Sequence, residues 1–241
     1  MRFAPVRGVI ERRLLVIYRL DPKVAKEVLP PPWQARLIGG YAVAGIALAH
    51  LGRLRPAGLP PVAGLARESV THGIAVEWES SRSLHTGVFV THHDSAGAGR
   101  GRRLCRASRF TVDERTDGLR VAYTGRDRTV RVDIDVDLVA SLAGSALFAD
   151  VYAATRFLQL DGAGGAAWAP PAKAIRLCAG DRSVGAARVL STSSTVFADT
   201  SVFPPGSVHL DSALLMRDLV LAPAPLERVR GARRAAAPTL A

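Results

Sequence analysis

The stretch YRLDPKVAKEVLPPPWQ (18–34) places a single arginine, Arg19, at the end of an apolar run and beside a segment that fixes the direction of the chain. Asp21 suits a helix N-cap, and Pro22 occupies the first helical position, where proline is tolerated. Val24, Val28 and Leu29 share one face of that short helix, and Pro30, Pro31 and Pro32 then stop it and impose an extended exit. A guanidinium on an apolar strand is costly unless it is paired or used, and its planar fork suits a carboxylate.

The histidines form a second group. HHD at 92–94 lies on a strand pattern, with His72 and His85 on others. Adjacent strand residues point to opposite faces, so His92 and His93 cannot easily bind one ion, and no spacing here is diagnostic of metal. The expectation is no metal and no cofactor. GAGRGRR (97–103) lacks the GxxxxGK[ST] spacing and a following helix, so it reads as a hairpin turn rather than a phosphate loop. ESSR (79–82) reads as an exposed turn, and no nucleophile elbow supports Ser-His-Asp catalysis.

The elements that must position these residues are mostly strands. Period-two apolar patterns run over 13–20, 39–51, 69–78, 86–93 and 118–124. In TVRVDIDVDL (129–138), Val130, Val132, Ile134 and Val136 alternate with Arg131, Asp133, Asp135 and Asp137, one buried and one wet face of an antiparallel sheet. GSALFADVYAATRFLQL (144–160) switches to helical spacing, with Leu147, Val151, Ala154 and Leu158 on one stripe, which predicts the principal helix at 144–158. DGAGGAAWAPP (161–171) reads as a loop, with further strands at 172–178, 184–198 and 206–219. Strands and helices do not alternate regularly, so a doubly wound sheet is not expected, and a curved, mostly antiparallel β architecture with a few helices fits best. One domain over 1–225 and a basic, frayed tail over 226–241 complete the organisation.

Composition narrows the partners. The net charge is +11 over 241 residues, but the basic residues are scattered, aromatics are sparse, and no DNA-reading or RNA-stacking pattern is present, so nucleic acid is not expected. The longest apolar run, Tyr41 to Ala49, is far below the roughly 20 residues of a membrane helix. The N-terminus has charges where a signal peptide needs an apolar core, and Cys105 and Cys178 form no disulfide framework. The expectation is a cytoplasmic protein, not bound to membrane, with a homo-oligomer left open.

The opening pattern Y-R-x-D-P followed by L-P-P-P resembles the N-terminal signature of the acetoacetate decarboxylase-like superfamily. ARESV (66–70) and TGVFVTHHDSAGAGRGRRLCRASRF (86–110) follow that family's order of a strand glutamate, a second strand and a GRE-x-x-G-x-P-K segment. VFPPGSVHLDSALLMRDL (202–219) is similar to the ending of a branch of the superfamily filed as a domain of unknown function. The resemblance implies a mostly β (α+β), cone-like barrel with a few peripheral helices and a cavity inside the cone. It also implies a Schiff-base lysine assisted by the motif arginine, here Arg19, and the strand glutamate, here Glu68. Gly101 and Arg102 match the GR of the third segment.

The lysine is where this chain departs. Counted on from Arg102, the family's glutamate falls on Arg103, its proline on Ser108 and its lysine on Arg109. A guanidinium has a pKa above about 12 and is a poor imine former, and desolvation that neutralises a lysine leaves arginine charged. Lys23, Lys26 and Lys173, the three lysines of the chain, lie outside that segment. Schiff-base decarboxylation is therefore not expected, and the chain is not read as a lysine-dependent acetoacetate decarboxylase.

Two readings remain. In the first, a lyase-like enzyme acts on a small carboxylated or keto substrate by decarboxylation, dehydration, aldol or cyclisation chemistry. Arg19, Glu68, Arg109 and His93 carry the reaction, and Arg102, His72 and His85 bind substrate. In the second, the cone binds a small molecule without catalysis. An inward His72, His85 or His93 would supply a proton shuttle near neutral pH and favour the enzyme. Arg19 is expected to meet Glu68 inside the cone, or else to pair with Glu11 or another acid on the rim.

Overall fold

Alternation decides which residues turn inward. The computed structural model describes residues 6–56, 65–79, 84–97, 108–158, 161–166, 175–178 and 184–223. Its elements are β1 (Val6–Leu20), α1 (Pro22–Val28), β2 (Gln34–Ala35), β3 (Leu37–Ile38), β4 (Tyr41–Pro56), β5 (Leu65–Glu79), β6 (Leu84–Gly97), β7 (Arg109–Glu114), β8 (Gly118–Thr124), β9 (Arg131–Val139), α2 (Val151–Phe157), β10 (Asp161–Ala166), β11 (Ile175–Cys178), β12 (Val184–Ser194) and β13 (Val208–Pro223). On β1, Leu14, Val16, Tyr18 and Leu20 face one core, while Leu15 and Ile17 face another under α2. Both faces of the central strands are thus apolar, and each fully buried Leu or Ile stabilises the fold by roughly 1.5–3 kcal/mol.

The strands join in a 13-stranded sheet whose main path runs β2-β5-β4-β1-β13-β12-β9-β8-β7, with β6 paired to β5 and β11 to β13. Every recorded pairing is antiparallel, as the alternation predicts. Twist and bulges curl the sheet into a half-barrel around the inner core, with register shifts at Ile17/Tyr18, Ile10/Arg12 and His72/Gly73. The curl brings β6 opposite β7 and β8. Asp94 on β6 accepts hydrogen bonds there from Ser108 Oγ at 2.6 Å and from the Tyr123 hydroxyl. The wet face of β9 is a charge ladder: Asp133 pairs with Arg120, Asp135 with Arg115, and Asp137 with Arg115 and Arg188.

α1 has the expected cap, with Asp21 accepting from the Lys23 N–H, and Val24 and Leu29 are buried. Gly39 and Gly40, at φ +57° and +82°, make the two-residue turn that folds β3 onto β4. Two expectations need correction. The helix expected from 144 begins at Val151, because Ser145 Oγ accepts from the Leu147 and Phe148 N–H groups and holds that segment in turns, leaving Asp150 as N-cap. The loop expected over 161–171 contains β10, whose Gly- and Ala-rich residues give no periodicity and pair with β11. β7 has no counterpart in the expected strands. Among the described residues no helix is long and apolar enough to cross a membrane.

Candidate functional site

Five inner-face stripes end in a charge at the same rim. Two residues beyond Leu14 on β1 stands Arg12; beyond Leu48 on β4, His50; beyond Val70 on β5, Glu68; beyond Val112 on β7, Glu114; beyond Leu215 on β13, Arg217. Cross-strand register sets Arg12 against His50 and Arg217, and His50 against Glu68, so the groups meet in one row. The curl adds Glu114 from the far end of the sheet, and the bulge at Glu11 turns that carboxylate to the same place. Together they line a cleft of about 350 Å³.

The contacts form one network. Arg12 donates from Nη1 to Glu114 Oε1 at 2.6 Å and from Nη2 to Glu68 Oε1 at 3.2 Å. His50 Nδ1 lies 2.7 Å from Glu68 Oε1, and its Nε2 lies 3.4 Å from Glu11 Oε2. Arg217 Nη1 is 3.6 Å from Glu114 Oε2. The hydrogen bond from Arg12 is the main cause holding the Glu114 carboxyl below the usual range, with Arg12 and Arg217 charge adding to it. Gly52 leaves room for the Glu11 side chain in this position: a Cβ there would lie 1.9 Å from Glu11 Oε1, and the carboxylate would have to swing away.

Chemically, the cleft offers two guanidiniums that can hold a carboxylate or a developing oxyanion. It also offers an imidazole whose ring is set by two carboxylates. Among the described residues no three His, Cys, Asp or Glu side chains converge as a metal-binding group.

A second polar cluster lies deeper in the cone. His72 is fully buried, its Nε2 2.9 Å from Ser194 Oγ and its ring 5.5 Å from Phe197 and 5.6 Å from His92. Burial, with His92 as a second cause, pushes the His72 imidazole down to about 3, so it is neutral at physiological pH. Burial tends to raise the Asp94 carboxyl, but the hydrogen bonds from Ser108, Tyr123 and the Ser95 N–H outweigh it and hold the group low. The Tyr123 phenol is pushed up by burial and by Asp94.

The expected site residues separate. Glu68 lies in the cleft. Arg19 does not: seven residues from Arg12 on one strand, it projects from the opposite face. Its Nε sits 3.7 Å from Asp211 Oδ1 and its guanidinium 5.4 Å from the Tyr41 ring centroid. The expected Arg19–Glu68 pair is therefore replaced by Arg12–Glu68, and the acid beside Arg19 is Asp211 rather than Glu11. Arg109 is exposed on the face of β7 opposite Phe110, while Ser108 next to it turns inward. His72 is inward, His85 stacks on Trp78 at the other end of β5, and His93 is exposed with Nδ1 2.9 Å from Thr71 Oγ1. Arg102, Gly101 and Arg103 lie outside the described residues, as does the expected tail. Sequence reasoning missed Arg12, His50, Glu114 and Arg217, although each is signalled by extending a core stripe by one period.

The fold is that of the acetoacetate decarboxylase-like proteins. It is similar to an acetoacetate decarboxylase-like enzyme from Sphingomonas wittichii RW1, at 12% identity and a TM-score of 0.51 over 94% of this chain and 94% of that one. It is similar to acetoacetate decarboxylase from Legionella pneumophila, at 11% identity and a TM-score of 0.55 over 92% of this chain and 86% of that one. The enduracididine biosynthesis enzyme MppR with HEPES bound is similar at 14% identity and a TM-score of 0.50 over 92% and 86%. No protein-family model and no curated protein matches the chain in sequence.

Proposed function

We propose that the chain is a lyase-like enzyme that acts on a small carboxylated or keto-acid metabolite in the rim cleft, without a covalent imine. The observation that carries this reading is the set Arg12, His50, Glu68, Glu114 and Arg217 around one cleft of about 350 Å³, none of them a lysine. Arg12 and Arg217 hold the substrate carboxylate and stabilise an enolate oxygen as negative charge develops. Glu68 fixes the His50 ring through Nδ1, and Nε2, which rests 3.4 Å from Glu11 Oε2, exchanges that contact for a proton transfer with the substrate carbon or oxygen as general acid or base. A group so placed typically contributes about 10²–10⁴ in rate.

A second reading, a binding protein on the same fold, is favoured by one observation: each of Arg12, Arg217 and His50 already faces a glutamate. Incubation with a panel of small keto and hydroxy acids, followed by product analysis of the native protein and of His50→Gln, separates the two. Turnover that falls at least about 100-fold in His50→Gln with binding retained supports the enzyme. Binding of the panel without product by the native protein supports the second reading.

A further inference from the structure

The cleft carries a charge balance that restricts how an anion enters. Glu11, Glu68 and Glu114 face Arg12, Arg217 and His50, three carboxylates against two guanidiniums and one imidazole. A ligand carboxylate added to this set would be the fourth acid, and among the described residues both guanidiniums of the cleft already face a glutamate. The incoming carboxylate competes with a resident acid for the arginines.

The geometry points to Glu114 as that acid. We propose that Glu114 is an internal stand-in for the ligand: its carboxylate bridges Arg12 and Arg217 and gives way to the carboxylate of the incoming substrate. This rests on the reading of the cleft as a carboxylate site. Glu114 is the resident acid whose two oxygens both face guanidiniums, Oε1 at 2.6 Å from Arg12 and Oε2 at 3.6 Å from Arg217. Glu68 is held from two sides, by Arg12 and His50, and is half as exposed, 21% against 41%. Glu11 touches His50 and not the arginines. Glu114 is also the last residue of β7, the terminal strand of the main sheet path, which is paired on the β8 side.

The consequence is selectivity. Exchanging one carboxylate for another leaves the net charge of the arginine site unchanged, so the exchange avoids burying an unpaired ion. A neutral ketone or ester brings nothing to replace Glu114 on the arginines and leaves the bridge in place. Glu114 thereby makes the cleft demand an acid and reject its uncharged analogues.

The test is calorimetric titration with acetoacetate and with its methyl ester, on the native protein, Glu114→Gln, Glu114→Asp and Arg12→Gln. Glu114→Gln is expected to bind acetoacetate about tenfold more tightly, because the competing charge is gone, with little change for the ester. Glu114→Asp, too short to span both arginines, is expected to shift the same way by a smaller factor and serves should the glutamine variant fold poorly. Weaker acetoacetate binding in both Glu114 variants, together with loss in Arg12→Gln, makes Glu114 a direct ligand contact and overturns displacement while leaving the carboxylate cleft standing. Acetoacetate binding unaffected by Arg12→Gln, or absent from every variant and the native protein alike, overturns the cleft reading itself and the proposal with it.

Discussion

Arg12 and Arg19 stand seven residues apart on β1 and on opposite faces of the sheet, Arg12 bridging Glu68 and Glu114 in the cleft and Arg19 lying beside Asp211 under the turn at 145–148. The two substitutions should therefore read differently. Arg12→Gln is expected to weaken acetoacetate binding at least about tenfold and to destabilise the fold by about 1–3 kcal/mol, since two carboxylates lose a donor. Arg19→Gln is expected to leave binding unchanged and to cost about 1 kcal/mol, because Asp211 keeps its donors from Ser145, Ala146 and Ser212. Calorimetry and urea unfolding on both variants check this. Binding lost in Arg19→Gln at intact stability would move the site to the outer face.

Borohydride reduction in the presence of acetoacetate is expected to leave the mass of the protein unchanged. Arg109 occupies the position matched to the family's lysine and faces outward. Lys23 and Lys26 are exposed on α1, away from the cleft at the rim. Mass spectrometry of the reduced protein decides the matter, and an adduct mapped to Lys173 would restore the imine mechanism.

Much of this was open to period-two reasoning. Leu14, Val16, Tyr18 and Leu20 mark the inner stripe of β1, and that parity alone assigns Arg12 inward and Arg19 outward. The same extension from Leu48, Val70, Val112 and Leu215 reaches His50, Glu68, Glu114 and Arg217. The motif match to Arg19 ran against this parity, and the parity describes the placement. Other features have no local signal. His72 meets Ser194 across 122 residues of sequence, and Asp94 meets Tyr123 across 29, because the sheet curls. β10 is Gly- and Ala-rich, so its strand state rests on pairing with β11 rather than on side-chain pattern.

Tyr123→Phe is expected to lower stability by about 1–3 kcal/mol with no change in shape of the side chain, because it removes one donor to Asp94 in a partly buried setting. Asp94 keeps Ser108 Oγ and the Ser95 N–H, which limits the loss. The hydrogen bond spans from β6 to β8, so the effect should be local as well as global. Amide exchange in β6 is expected to quicken more than in β1. Equal quickening in both would mean that the bond does not pin the seam.

The native protein is expected to lose stability as pH falls from 6.5, with His72 as a principal cause. In the unfolded chain this imidazole takes up a proton near 6.5, whereas burial, with His92 beside it, holds it neutral down to about 3 in the fold. Below 6.5 the unfolded state therefore binds a proton that the native state refuses. The stabilising contribution is complete above 6.5 and is withdrawn as pH falls towards 3, with a slope reaching about 1.4 kcal/mol per pH unit for one group. His92, lowered chiefly by burial, acts in the same direction, while Asp94 contributes in the lower carboxylate range. His72→Gln is expected to be less stable at neutral pH, having lost packing against Phe197, so the informative quantity is the slope. Urea unfolding between pH 6.5 and 4.5 should show that slope reduced by about one proton in the variant. An unchanged slope would mean that His72 reaches solvent in the native state and titrates there as freely as in the unfolded chain.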